Sequence, residues 1–572
     1  MSKDKALKNN LSRRDFLKGA GLTVGAVSAV GAGAVLQACT DSPGTEGKDY
    51  IFDPVGSPYA VPTKWDQETD VIVIGTGDGG APAAIRAFDG GADVIIIDKG
   101  DFFGGCSVLG GGATQLAVTH VQKAQGIDDK PEWAYEDTMV HGLYRSIPEV
   151  LQAWIDNSEP FSKWAEDVCD FEWGTMQTQE PARVPRTHRA KPPKDIWNEG
   201  QGVNMSYRYH QQIEKRNIPI LLEHRMTKIY RKGTGPVVGI EVETKSGKKN
   251  IKARKAVIVA TGGFKGNPQM IRAYHAAFDE TLIWSGWPDV KPTGDGHLAI
   301  EAIGGGCIDM SFIMEFSGRL GSKQYVRGER PHFDHPSTPT GIPYSKLEQV
   351  IFVNNSGKRY LNEDEWEAGH TLAWTDWMVA FLLIEGRPRM EWFVADKNGA
   401  IDVGWDKFDA AILSPNKDVT PCLEPGWVAK ADTIAELASK MGVPSAALQE
   451  TITKYNGMCD SGKDTDFGSK NLFKIVEPPF YAARWCRMTH DQSTGIRVNA
   501  KMQIVEQSNQ WIPGEVGASQ NIMEEKVIPH LYAVGECTGG TGGAIRGSGK
   551  RGYYQVQGYI GGGNAANETA IA

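Results

Sequence analysis

Asp70-Val71-Ile72-Val73-Ile74 is a short run rich in β-branched apolar residues, the pattern of a strand buried on both faces. It leads straight into Gly75-Thr76-Gly77-Asp78-Gly79-Gly80. Residues Ala81 to Gly90 then read as a helix, and Asp93-Val94-Ile95-Ile96-Ile97 as a second strand closing on Asp98. The same signature returns twice: Ala256-Val257-Ile258-Val259-Ala260-Thr261-Gly262-Gly263, and Leu531-Tyr532-Ala533-Val534-Gly535-Glu536. Each is a buried strand that stops in a turn of small residues. Over residues 430–460, Ile434, Leu437, Ala438 and Met441 fall at helical spacing, which predicts a packed helix. No internal repeat interrupts this alternation, so the pattern predicts an α/β fold.

The first 38 residues follow different rules. Lys3, Lys5, Lys8, Arg13, Arg14 and Lys18 face only Asp4 and Asp15, and no further charge occurs before Asp41. A basic start followed by an Ala-, Gly- and Val-rich run is the layout of an export signal. Ser12-Arg13-Arg14-Asp15-Phe16-Leu17-Lys18 resembles the twin-arginine signal S-R-R-x-F-L-K at every defined position. Leu36-Gln37-Ala38-Cys39 resembles a lipobox, which implies a lipid on Cys39. The apolar run is too rich in glycine for a permanent span. Residues 39–65 then read as a tether. A protein exported by the twin-arginine route, periplasmic or held on the outer face of the cytoplasmic membrane, is the expectation.

Composition narrows the classes further. The 572 residues suffice for two or more domains, and 40% hydrophobic against 23% charged residues excludes global disorder. A net charge of −9 argues against a nucleic-acid partner. None of the eight cysteines forms C-x-x-C or C-x-x-C-H, so zinc ribbons and an attached c-type haem find no support, and no metal site is expected.

Strand, G-x-G-x-x-G, helix, strand and terminal acid together form a dinucleotide-binding fingerprint. Gly75 permits the tight turn, Gly77 lets the backbone approach a diphosphate, and Gly80 lets the helix pack on the strand. The helix start supplies unpaired N–H groups, and Asp98 suits the ribose hydroxyls.

Two further glycine clusters, Gly104-Gly105-Cys106-Ser107 and Gly110-Gly111-Gly112-Ala113, follow the ribose acid. Taken with the late strand and its glycine tract, their order over residues 66–572 resembles the fumarate reductase and succinate dehydrogenase flavoprotein family. The branch is that of soluble fumarate reductase, urocanate reductase and ketosteroid dehydrogenase. The resemblance implies a Rossmann-like, glutathione-reductase-like FAD domain at 66–310 and 491–572, with an inserted α+β capping domain at 311–490. Val353-Asn354-Asn355-Ser356-Gly357-Lys358-Arg359-Tyr360-Leu361-Asn362-Glu363 resembles the family's V-N-x-x-G-x-R-F-x-N-E marker. FAD is the implied cofactor. Its expected contacts are Gly75, Gly77, Gly79, Gly80, Asp98, Lys99, Gly105, Cys106, Ser107, Gly111, Gly112, Ala260, Thr261, Gly262, Asp295, Gly535, Glu536 and Gly549. Lys550 and Arg551 are further candidates beside the reduced flavin.

Gly535-Glu536-Cys537-Thr538-Gly539-Gly540-Thr541-Gly542-Gly543-Ala544-Ile545-Arg546 resembles G-E-x-T-G-G-x-x-G-x-x-R, whose arginine holds a substrate carboxylate. A planar guanidinium fork matches that group in two places. The family's arginine proton donor is replaced by Lys346, with Tyr344 close by. Its two substrate histidines fall near Phe316 and Gln492, with His490 a neighbouring substitute. Loss of that grip on a second carboxylate argues against fumarate and for a bulkier substrate with one acidic or polar end. The implied reaction is hydride transfer from flavin N5 to an activated C=C bond. A desaturating ketosteroid-type dehydrogenase, kept open by Tyr553 and Tyr554, and a flavin electron-transfer subunit are the alternatives. No second dinucleotide fingerprint is present, so a separate carrier, a cytochrome c or a quinol-linked membrane protein, is the expected electron donor.

Overall fold

The run from Val71 to Ile74 forms a strand buried at every position, the centre of a mixed eight-stranded sheet. The computed structural model of the chain describes residues 57–110, 112–177, 182–193, 201–274, 283–284, 292–311, 313–318, 349–360, 362–363, 391–403, 428–492, 494–507, 526–543 and 550–571. The expected export leader, and the expected tether as far as residue 56, lie outside them. The described residues belong to one compact unit.

From the amino end, β1 (Gln67–Ile74), α1 (Gly80–Asp89) and β2 (Val94–Ile97) make the expected βαβ unit. Next come α2 (His120–Ala124), α3 (Pro148–Cys169), α4 (Gln201–Lys215) and β3 (Ile220–Leu221). A meander of β4 (Arg225–Arg231), β5 (Val237–Thr244) and β6 (Gly247–Val259) follows. The order β12-β13-β6-β1-β2-β3 closes with β12 (Gln503–Val505) and β13 (Val527–Ala533) from the far end of the chain. Ile72 lies between Ile95 and Val257 in register, and Val257 in turn pairs with Leu531. All four pairings in this central block are parallel or share parallel neighbours, which is why these strands read as unbroken apolar runs.

β6 is longer than its apolar half suggested. Residues 247–252 pair antiparallel with β5 while residues 256–259 sit at the sheet centre. Residues 247–249 are exposed, and from Asn250 to Arg254 buried Ile251 and Ala253 alternate with polar neighbours because one face meets water.

The last helix, α7 (Arg551–Ala566), packs along α1 through a seam of glycines. A Cβ on Gly558 would lie 2.3 Å from the Gly79 carbonyl oxygen, and one on Gly562 would lie 2.2 Å from that of Ala83. The two backbones therefore approach closely.

A second, six-stranded sheet is built on β11 (Phe480–Gln492). It takes up β7 (Ile313–Gly318), β8 (Ile351–Val353), β9 (Glu391–Ala395) and β10 (Val428–Ala431) in antiparallel pairs, plus Ile283–Trp284 in parallel. The stretch expected as one helix at 430–460 is instead two, α5 (Ile434–Met441) and α6 (Ser445–Ser461). Gly442 ends the first at φ +71°, and Pro444 opens the second. Both signals stood in the sequence and outrank the apolar spacing. In the V-N segment, the Asn354 side chain accepts from Ser356 and Lys358 N–H, making the turn. Arg359 is buried between Glu363 and Asp464, so this marker is folding machinery.

α2 is fastened to α3 by His120, whose Nδ1 lies 2.9 Å from Glu159 and Nε2 2.8 Å from Glu166. Burial opposes its charge, but the hydrogen bonds and charges of Glu159 and then Glu166 prevail, and its pKa is raised. The clip stabilises the fold fully below the ordinary histidine pKa of about 6.5 and is lost as pH rises through the raised value. A His120→Gln variant should melt about 1–3 °C below the parent near pH 5.5, the difference closing by pH 9. A gap independent of pH in paired melting curves would contradict this.

Candidate functional site

Most of the expected cofactor contacts converge on one cavity of about 1220 Å³, its open mouth included. Gly75, Gly77, Gly79, Asp98, Lys99, Gly105, Cys106, Ser107, Ala260, Thr261, Gly262, Asp295, Gly535 and Glu536 all line it. Gly80 and Gly112 do not. Gly80 faces the Gly75 carbonyl, where a Cβ would stand 1.9 Å away, so it serves the packing of helix on turn. Gly111, Gly549, Lys346, Tyr344 and Arg546 lie outside the described residues. His490 falls within β11, but its side chain is likewise outside the description.

The cavity opens at the carboxyl ends of β1, β2, β6 and β13, where a parallel sheet ends and its helices begin. Gly75 takes φ +114° against the Ala260 carbonyl, a place no side chain fits. No side chain caps the start of α1 and no acid occupies its first turn, so its positive end is available to an anion. Asp98 is held in place: Oδ2 accepts from Thr76 N–H at 2.9 Å and from its hydroxyl at 2.6 Å, and Oδ1 from Gly100 N–H at 2.8 Å. A carboxylate has about four acceptor positions, so one remains for a ribose hydroxyl. An uncapped helix start, a glycine turn and an oriented acid fit a dinucleotide.

Among the described residues, four Lys and Arg side chains line the same walls, each matched with an acid. Lys99 and Arg225 both reach Asp295 at 2.8 Å. Lys265 lies 2.6 Å from Glu536, and Arg551 lies 2.7 Å from Asp78. Burial pushes the Cys106 thiol up to about 11, so it stays protonated and is no nucleophile near neutrality.

Sequence reasoning did not single out Thr76, Asp78 or Lys265 as site residues, nor His224-Arg225-Met226 at the start of β4. Thr76 and Asp78 stood inside the fingerprint as its variable positions. Lys265 follows the Gly262-Gly263-Phe264 turn, and a lysine after a glycine pair carries no signal of its own. Gln492, near which the resemblance puts the family's second histidine, is fully buried. Its backbone N–H donates to Glu536 and its side-chain oxygen accepts from Phe264 N–H, while its Nε2 has no partner among the described residues. Tyr554 donates its hydroxyl to the Gln492 carbonyl and also lines the cavity.

Residues 70–551 match the protein family described as FAD binding domain. The chain is 29% identical over 491 residues to a fumarate reductase (cytochrome) of Shewanella frigidimarina, covering 83% of this chain and 73% of that one. It is 26% identical over 531 residues to a urocanate reductase of Eggerthella lenta, covering 90% and 79%. Among solved structures, the open conformation of a flavocytochrome c3 fumarate reductase superposes with a TM-score of 0.68 at 26% identity, covering 88% of this chain and 78% of that one.

Proposed function

The chain belongs to the FAD binding domain family, and from that premise we propose that it is an exported FAD-dependent oxidoreductase that reduces an activated C=C bond of an organic acid. One observation carries the reading. The glycine turn after β1, the oriented Asp98 and the G-E segment that leads towards Arg546 meet in a single cavity. Relatives named for fumarate and urocanate reduction support the reaction class.

Bound FAD, once reduced by two electrons from the carrier, would supply the hydride from N5. Gly75, Gly77 and Gly79 with the start of α1 hold its diphosphate, Asp98 its adenosine ribose, and Glu536 its remaining hydroxyls. Residues 311–490 cap the site. Arg546 grips the substrate carboxylate and offsets the charge that builds on it during transfer. Lys346 or Tyr344 gives the proton to the neighbouring carbon, and His490 contacts the other end of the substrate. In sequence, Phe316 and Gln492 fall near the positions of the family's two substrate histidines, which favours a bulkier acid with one carboxylate over fumarate.

A twin-arginine leader and a lipid on Cys39 put the enzyme in the periplasm or on the outer face of the cytoplasmic membrane. Its electrons come from a separate cytochrome c or quinol-linked protein. Reduced viologen dye should therefore sustain turnover with an unsaturated acid, and NADH as sole donor should not. Robust NADH-driven turnover would overturn the donor assignment. Desaturation of a ketosteroid-like substrate is the second reading, favoured by Tyr554 in the cavity wall.

A further inference from the structure

A carboxylate stands inside the turn that must receive a diphosphate. Asp78 is the fourth residue of Gly75-Thr76-Gly77-Asp78-Gly79-Gly80, lines the cavity, and is 6% exposed. Like charges repel strongly where water is scarce, and a diphosphate seated on this turn brings two more negative charges beside it. An acid is the wrong residue for the place unless something neutralises it.

Arg551 does so from the opposite end of the chain. Its Nη2 lies 2.7 Å from Asp78 Oδ1, and its Nη1 donates to the Ser107 carbonyl at 2.7 Å. The guanidinium occupies a slot that two glycines leave open. A Cβ on Gly110 would come within 2.8 Å of Nη1 and one on Gly202 within 2.7 Å. Asp78 is tied to the same neighbour, since its N–H donates to the Ser107 hydroxyl at 2.8 Å. Lys99, Arg225 and Lys265 are matched with Asp295 and Glu536, acids that lie off the turn. Among the described ion pairs only that of Arg551 acts on the glycine turn itself, and the neutral Gln555 Nε2 approaches the same Asp78 Oδ1 at 3.4 Å.

We propose that Arg551 is a positioning residue for the cofactor, acting by compensating the charge of Asp78 so that an acidic dinucleotide turn accepts the FAD diphosphate. The pair also makes FAD loading depend on the docking of the α7 start against the β1 turn. The inference rests on FAD as the occupant of the cavity but not on the reaction proposed above. Its test uses no substrate.

The experiment is a fluorescence titration of the flavin-depleted full chain with FAD, for the parent, Arg551→Gln, Asp78→Asn and the double variant. Circular dichroism melting of each serves as the control for folding. Arg551→Gln should weaken FAD binding about 100-fold or more, because an unpaired buried carboxylate then faces the diphosphate. Asp78→Asn should bind FAD as tightly as the parent or tighter. The double variant should recover to within about 5-fold of the parent, the signature of compensation within a pair. If Arg551→Gln alone fails to fold while the double variant folds and binds, compensation is likewise supported. A double variant as weak as Arg551→Gln would mean direct contact with the cofactor and would overturn the proposal. So would an unaffected Arg551→Gln, a weakened Asp78→Asn, or failure of both arginine variants to fold.

Discussion

Gly558→Ala should yield a chain that purifies without flavin and is less stable than its parent, although alanine is the better helix former. Gly558 lies mid-way along α7, where the exchange by itself favours the helix by about 1 kcal/mol. The new methyl, however, would stand 2.3 Å from the Gly79 carbonyl oxygen and 2.8 Å from Pro82 Cγ. Overpacking costs roughly 1–3 kcal/mol when side chains can shift, and here the obstruction is main chain. With a main-chain obstruction the cost falls at the upper end, so the clash wins by up to about 2 kcal/mol on those figures. Relief requires Gly79 to move, and Gly79 lines the cavity at the start of α1. Stability and cofactor retention should fall together, measured by calorimetry and by the flavin-to-protein absorbance ratio. A flavin-replete variant of raised melting temperature would show that the seam has slack.

That seam illustrates how far the sequence could be read. The βαβ unit was legible because three local signals coincide: an apolar run, a glycine turn and a terminal acid. The late strand was legible for the same reason, and β13 does pair with β6 next to the turn. What joins them was not. By propensity alone Gly558 and Gly562 are weak helix positions, and the neighbouring α1 backbone is what explains them. Asp78 and Arg551 are 473 residues apart, and Lys265 and Glu536 are 271 apart, so no local pattern records either pair. Gly442 and Pro444 were different, since both breakers stood inside an apolar spacing that was read as one helix. The catalytic assignments rest on the family resemblance, and Arg546, Lys346 and Tyr344 lie outside the described residues.

The second large effect is expected at Arg546. Truncation to alanine removes both the bidentate grip on a carboxylate and the cation facing the developing charge. Deleting one partner of a desolvated, hydrogen-bonded charge pair costs about 3–5 kcal/mol, equivalent to roughly 100- to 1,000-fold or more in kcat/KM. Arg546→Lys keeps the charge without the fork and should fall between the two. Both variants should retain FAD, because the arginine's assigned partner is the substrate. Steady-state turnover with a dye donor, set beside the flavin content, separates the two roles. Loss of flavin in Arg546→Ala would reassign the residue to the cofactor.

The central claim is that this flavoprotein passes a hydride to an activated double bond. The most direct measurement is anaerobic: reduce the bound flavin with light, add unsaturated acids, aryl-acrylates and enones one at a time, and follow the return of the oxidised absorbance band. The account predicts rapid reoxidation by an unsaturated acid carrying one carboxylate, little by fumarate, and loss of the response in Arg546→Ala. No reoxidation by any of them, with bleaching of the oxidised flavin by a saturated ketosteroid, would contradict it and make the enzyme a dehydrogenase.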